Sequence, residues 1–293
     1  MKIGGQAVIE GVMMKSKDLW SVAVRDPKGE IHVKKEQLKP LPKLLKLPVL
    51  RGVVALLQSL VLGIKAIEYS AAKAYEGDDK PISPLSMLLT MVSAFVLAIG
   101  MFLYLPLYLT KAMGVFVSAV NDSSFVFNAV DGVVRVVFFI IYVYAVSLWK
   151  DMRRIFEYHG AEHKVIFAYE AKTGMTLDEI RPFGTHHPRC GTSFLFIVMI
   201  MSILIFSLIP KEWSFYMKFA SRVVMIPLIA GISYETLRLS AKMSSNPLIR
   251  FLIAPGLLLQ RITTKEPNDS QVEVALRALL EVLPETGGAA NAR

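Results

Sequence analysis

Apolar residues run in long blocks along this chain, and charged residues gather in a few places between them. Four blocks are candidates to cross a bilayer, whose hydrocarbon core takes roughly 20 apolar helical residues. Leu85 to Thr110 carries no charge, and neither does Ser193 to Ile209. Val133 to Trp149 is shorter, with Arg135 near one end. Phe219 to Leu239 has Arg222 at its start and Glu235 and Arg238 at its end. A fifth block, Pro247 to Ile262, holds Arg250 and a central Pro255-Gly256 pair. That pair predicts a re-entrant or interfacial hairpin rather than a span.

The two ends read differently. Residues 1–46 are polar and basic. Leu19 to Arg25 alternates weakly, D-P-K-G-E marks a turn, and Ile31 to Lys35 resumes, so a β-hairpin is expected. Glycines 4, 5 and 11 bracket a short apolar strand before it. They suit a place where backbone approaches another surface closely, or simply a strand that pairs with the hairpin. A Pro-punctuated linker leads into Val49 to Ala74, which reads as a helix. Its Arg51, Gln58 and Lys65 are seven apart and form one polar stripe. That stripe predicts a helix lying on the membrane or on the bundle rather than a span. Ser270 to Leu283 reads as a soluble amphipathic helix, and the last residues as a disordered tail.

The expected fold is mainly α: a polytopic membrane protein with about four transmembrane helices, interfacial or re-entrant helices and a small N-terminal β-hairpin. Four parts are expected. Residues 1–46 form a β-rich segment and 47–84 carry an interfacial amphipathic helix. A membrane domain covers 85–265, with a cytoplasmic loop at 150–192, and 266–293 form a C-terminal helix and tail.

Composition agrees with a membrane location, at 54% hydrophobic residues and a mean hydropathy of +0.47. Net charge is +9. Of the 33 Lys and Arg, fourteen fall in 1–84, seven in 150–192 and seven in 238–293. The positive-inside rule then places both termini and the central loop in the cytoplasm, beside anionic lipid. One cysteine excludes an intrachain disulfide framework. The start, M-K-I-G-G-Q-A-V-I-E-G, has no apolar h-region, so no signal peptide is expected.

Candidate chemistry sits in that central loop. Four of the five histidines, His159, His163, His186 and His187, and the single Cys190 lie between Glu157 and Cys190. His159 and His163 are four apart, which stacks their rings on one helical face. With Glu162 they spell H-x-x-E-H, the inverted zincin pattern, in which two His bind Zn²⁺ and the Glu serves as base. A third ligand would come from His186, His187, Cys190 or Glu170. Arg189 is a candidate to stabilise an oxyanion or a lipid phosphate. The plain alternative is a hydrogen-bonded polar patch that holds one loop against another.

G-G-Q-A-V-I-E-G-V-M-M at 4–14, E-Y-H-G-A-E-H-K at 157–164, H-P-R-C-G-T-S-F at 187–194 and E-P-x-D-x-Q-x-E-V-A at 266–275 together resemble the bacterial membrane protein family DUF1385. The resemblance covers nearly the whole chain and implies a metal-dependent enzyme of the bacterial plasma membrane. It implies His159 and His163 as ligands and Glu162 as base, and it names no substrate.

Two functions follow. In the first, a divalent metal, Zn by its ligands, supports hydrolysis of a lipid or membrane peptide at the cytoplasmic surface. In the second, the His cluster is a structural knot, and the basic face docks a partner such as the translocon or ribosome. No specific DNA binding is expected. Transport would need ionisable residues inside the spans. The first and third spans carry none, and Glu235 with Arg238 is placed at a cytoplasmic end.

Overall fold

The computed structural model describes residues 3–40, 42–75, 84–188, 190–210, 212–242 and 247–283. Strands β1 (Gly4–Val8), β2 (Gly11–Lys15), β3 (Leu19–Arg25) and β4 (Ile31–Gln37) form an antiparallel meander in that order. The helices are α1 (Leu50–Ala74), α2 (Pro84–Ile99), α3 (Leu105–Phe116), α4 (Ser118–Asp122), α5 (Ser124–Ser147) and α6 (Lys150–Ala171). They continue with α7 (Leu177–Ile180), α8 (Gly191–Phe206), α9 (Phe215–Lys242), α10 (Pro247–Thr263) and α11 (Asp269–Val282). The segment 76–83, the tail after 283 and the Arg189 side chain lie outside the described residues.

The expected hairpin is β3–β4, paired from Leu19↔Gln37 to Arg25↔Ile31. The glycine-bracketed stretch folds as a second hairpin, β1–β2, on the same sheet. β3 alternates only weakly because it is buried on both faces. Trp20, Val22 and Val24 pack with Leu62 and Ala66 of α1. Ala23 faces the other way, toward Tyr158 and Val165 of α6 and Ala275 and Ala278 of α11. Ser21 lies on that second side and donates to the Ala278 carbonyl at 2.6 Å. Small residues there let α11 sit close to the sheet.

The tail motif locks α11 in place. Asn268 and Gln271 form a capping box, and Gln271 also donates to Glu157 at 3.0 Å. Glu266 pairs with Lys164 at 2.5 Å, and Asp269 holds Arg181 with two bonds. The chain ahead of α11 crosses α6 at Gly160, where a Cβ would lie 2.0 Å from the Lys265 carbonyl oxygen.

The polar stripe of α1 is spent on its neighbours. Arg51 pairs with Glu235 of α9, Gln58 accepts from Lys15 of β2 at 3.4 Å, and Lys65 meets Glu36 of β4 at 3.9 Å. The opposite face exposes Leu57, Leu60, Val61 and Ile67.

The chain is a polytopic, mainly helical membrane protein. Among the described residues, four helices are long and apolar enough to cross a bilayer: Leu50–Ala74, Leu88–Phe116, Ser124–Ser147 and Phe215–Ser240. The first expected span runs on through a π turn at Gly100–Tyr104 and past Thr110 to Phe116. By length and composition α1 joins the spans, while α8, expected at 193–209, has only 16 residues. The fifth block is not a hairpin: α10 runs unbroken through Pro255. Gly256 serves packing instead, since a Cβ there would meet the Ser193 Cα of α8 at 2.9 Å.

Ionisable groups do lie inside the bundle. Asp131 and Arg135 of α5 and Arg222 of α9 are buried. Asp131 accepts from Arg135 at 2.7 Å and from Arg222 at 3.1 Å, and Asn128 accepts from Arg222 at 2.9 Å. Both guanidinium groups lie over the Phe206 ring of α8, at 5.1 and 5.2 Å. Asp131 lies just ahead of the apolar run at Val133, so the pattern hid it.

Candidate metal centre

Helix α6 divides its faces by chemistry. Ala161, Val165 and Ala168 enter the sheet core, while His159, Glu162, His163 and Ile166 line a cavity. The i,i+4 spacing stacks the two rings edge to face, with centroids 4.5 Å apart.

Each ring is anchored by one nitrogen. Nδ1 of His159 lies 2.8 Å from the Thr263 carbonyl at the end of α10, and Nδ1 of His163 lies 2.5 Å from the Thr185 carbonyl. A carbonyl can only accept, so both Nδ1 atoms carry a proton, and in the neutral rings the Nε2 atoms present lone pairs. Metal-ligating histidines are oriented in this way. Nε2 of His159 reaches Cys190 Sγ at 3.1 Å. His159, His163 and Cys190 each place a ligand atom within 4.8 Å of the others, a set with the donor chemistry of zinc.

Cys190 is the N-cap of α8, and its sulfur accepts from the Thr192 backbone N–H at 3.5 Å. Thr192 is the second residue of the helix. The loop before it is pinned by Gln260 of α10. The Gln260 amide accepts from the His187 N–H, donates to the His187 carbonyl, both at 2.8 Å, and reaches Ser193 Oγ at 3.3 Å.

His187 is buried against His163, with ring centroids 5.7 Å apart, and its Nε2 lies 3.4 Å from Glu170. Burial, then the neighbouring His163, hold its pKa down at about 4, so it is neutral at physiological pH. His186 is exposed and outside the three-residue set. Glu170 is exposed as well. A second group, Asp26, Glu30 and His32, lies in the β3–β4 turn. There Asp26 closes the turn by accepting from the Lys28 and Glu30 backbone and contacting the His32 ring at 2.9 Å.

Glu162 is buried, and that burial lifts its carboxyl to about 7 despite the pull of His159 and a hydrogen bond from the Gly5 backbone. Gly5 is the close approach that the N-terminal glycines suggested. A Cβ there would lie 2.8 Å from Glu162 and from the Met13 carbonyl. The hairpin is held from its tip as well, where Glu10 takes a two-pronged ion pair from Arg154 and a bond from Tyr158 at 3.1 Å.

Gln260 and Thr263 were not singled out from sequence. A lone Gln near the end of an apolar run was the available signal for the first; Thr263 contributes only its carbonyl to the site and leaves none.

The sequence pattern of the family described as "Protein of unknown function (DUF1385)" matches residues 47–285. "Uncharacterized protein YqhQ" of Bacillus subtilis (strain 168) is 34% identical over 296 residues, covering 96% of this chain and 92% of that protein. No solved structure matches.

Proposed function

Because the chain belongs to the family described as protein of unknown function (DUF1385), membership brings no reaction with it, and we propose one from the site: a metal-dependent hydrolase acting at the membrane surface. One observation carries this reading. Three ligand atoms, from His159, His163 and Cys190, converge beside a cavity of about 730 Å³ that Glu162 also lines. Structural zinc sites are closed by four protein ligands, whereas catalytic sites use three and keep a position open.

His159, His163 and Cys190 would hold the cation, and zinc suits the donors. A cation so held polarises a carbonyl or phosphoryl oxygen and acidifies water. The chain's own groups do the rest. The Thr263 and Thr185 carbonyls fix the imidazoles, and Gly5 and the sheet hold the Glu162 carboxyl in the cavity. Glu162 would accept a proton at its carboxylate and return it to the leaving group.

A structural knot has its own support: the same residues tie α6 to α8 and to the end of α10. The two readings separate at Glu162. Purified protein in vesicles of bacterial polar lipid extract, given zinc, is expected to release hydrolysis products detectable by mass spectrometry. Glu162→Gln should keep the metal and lose about 10²–10⁴-fold in rate, the range for general acid–base groups. Equal rates in both proteins would leave the knot.

We place the site on the cytoplasmic side, with both termini there and α1 lying along the surface. The Lys and Arg distribution supports the orientation. Lys65, near the middle of α1, would cost about 2.5–3.5 kcal/mol if that helix crossed lipid. Cysteines added at Glu30 and Ser270 should resist a membrane-impermeant maleimide in intact cells and react after lysis. Reporters at positions 45 and 80 should report the same side. Labelling before lysis, or reporters on opposite sides, would overturn this arrangement.

A further inference from the structure

Resting on the hydrolase reading, we propose that the cavity takes one acyl chain of an anionic glycerophospholipid, which enters sideways from the bilayer between α1 and α8. The walls come from Ala55 and Leu56 of α1, Phe194 and Leu195 of α8 and Leu237 of α9. Helices α1 and α8 each pack along α9, and the cavity occupies the space between them. Its rim is open and apolar: Leu56 is 39% exposed and Leu195 is 43% exposed. The rim continues into the exposed leucines of α1, Leu57 and Leu60. A water-filled entry would not be edged this way, whereas lipid tails would meet it without losing contact with hydrocarbon.

The volume, about 730 Å³, lies within the roughly 300–1,000 Å³ of small-ligand sites. Part of the lining is polar. His159, Glu162, His163 and Cys190 line the cavity, as do Lys15, and Gly191 and Thr192 at the positive end of α8. Lys15 lines the cavity and donates to Gln58 at 3.4 Å, so its ammonium is placed to pair with a phosphate alongside. A chain in the apolar half puts the ester or phosphodiester of its lipid at the ligand cluster.

A peptide fits less well. It would cross lipid as a helix about 10–12 Å wide, with its backbone satisfied internally. Strand β1 offers backbone for an extended peptide, at residues 4–7, beside the buried Glu162. The peptide would have to unwind first, whereas an acyl chain has nothing to satisfy.

The test uses full-length protein in nanodiscs containing a phosphatidylglycerol with a mid-chain diazirine. Photolabelling is read by peptide mass spectrometry, and metal is measured on the same samples. Labels are expected at 55–56, 194–195 and 237. Ala55→Trp, which fills the wall, should cut labels on α8 and α9 about tenfold, equivalent to ~1.4 kcal/mol of binding. Labelling of Leu88 and Phe95, on the outer face of α2, should stay unchanged. Leu195→Trp repeats the test from the opposite wall should Ala55→Trp fold poorly. Cavity labelling that neither tryptophan reduces would overturn the proposal. So would displacement of the label by an extended diazirine peptide that crosslinks to 4–7. Protein that labels as expected but holds no metal would refute the hydrolase reading and leave the lipid site standing. Protein that holds metal without cavity labelling would do the reverse.

Discussion

Purified wild-type protein is expected to carry about one divalent ion per chain, and His159→Ala with His163→Ala to carry less than about one-tenth, by elemental analysis. Two of the three convergent ligands are then gone, and Cys190 alone cannot hold the cation. The double variant should still fold, because the sheet core draws on the other faces of α6 through Ala161, Val165 and Ala168. Cys190 gives a second readout. It is buried, and as a ligand it would be thiolate and shielded from alkylation while the ion is bound. Chelation should therefore speed its alkylation. Equal rates before and after chelation would remove Cys190 from the ligand set and leave His187 as the nearest substitute. An unchanged metal content in the double variant would end the metal reading altogether.

Asp131→Ala is expected to destabilise the protein by about 3–5 kcal/mol, read as thermal or denaturant unfolding in detergent. Asp131 is the carboxylate shared by Arg135 and Arg222, and Arg222 is 0% exposed. Removing it leaves two cations without their counter-charge in the bundle interior, where water cannot take its place. The loss also removes one of two bonds from Arg222 of α9 to α5, leaving that to Asn128. Asp151→Ala, on the exposed start of α6, should stay within about 0.5 kcal/mol of wild type. A comparably small change at Asp131 would mean that the arginines are satisfied without it. Its place along α5 keeps the effect apart from the metal centre. Sixteen residues separate Asp131 from the end of α5 at Ser147, about 24 Å at 1.5 Å per residue.

Much was legible in the sequence because it depends on local pattern. Long uncharged runs must be buried in lipid or protein, so the membrane class follows from the hydropathy alone. The i,i+4 spacing of His159 and His163 fixes their shared face on any helix. The D-P-K-G turn set the β3–β4 hairpin. Seven-residue spacing in α1 announced a polar stripe, though not its partners Glu235, Lys15 and Glu36.

Tertiary structure decided what pattern cannot encode, because those choices are made by residues distant in the chain. Pro255-Gly256 reads locally as a break, yet the helix continues, since Gly256 is needed for contact with Ser193. β3 lost its alternation because helices cover both faces of the sheet. The pairing of Asp131 with Arg222 spans 91 positions, and the bond from His159 to Thr263 spans 104. Among His186, His187, Cys190 and Glu170, spacing left the third ligand open. The fold brings the Cys190 sulfur to His159 because α8 begins where it does, with that sulfur at its cap facing α6.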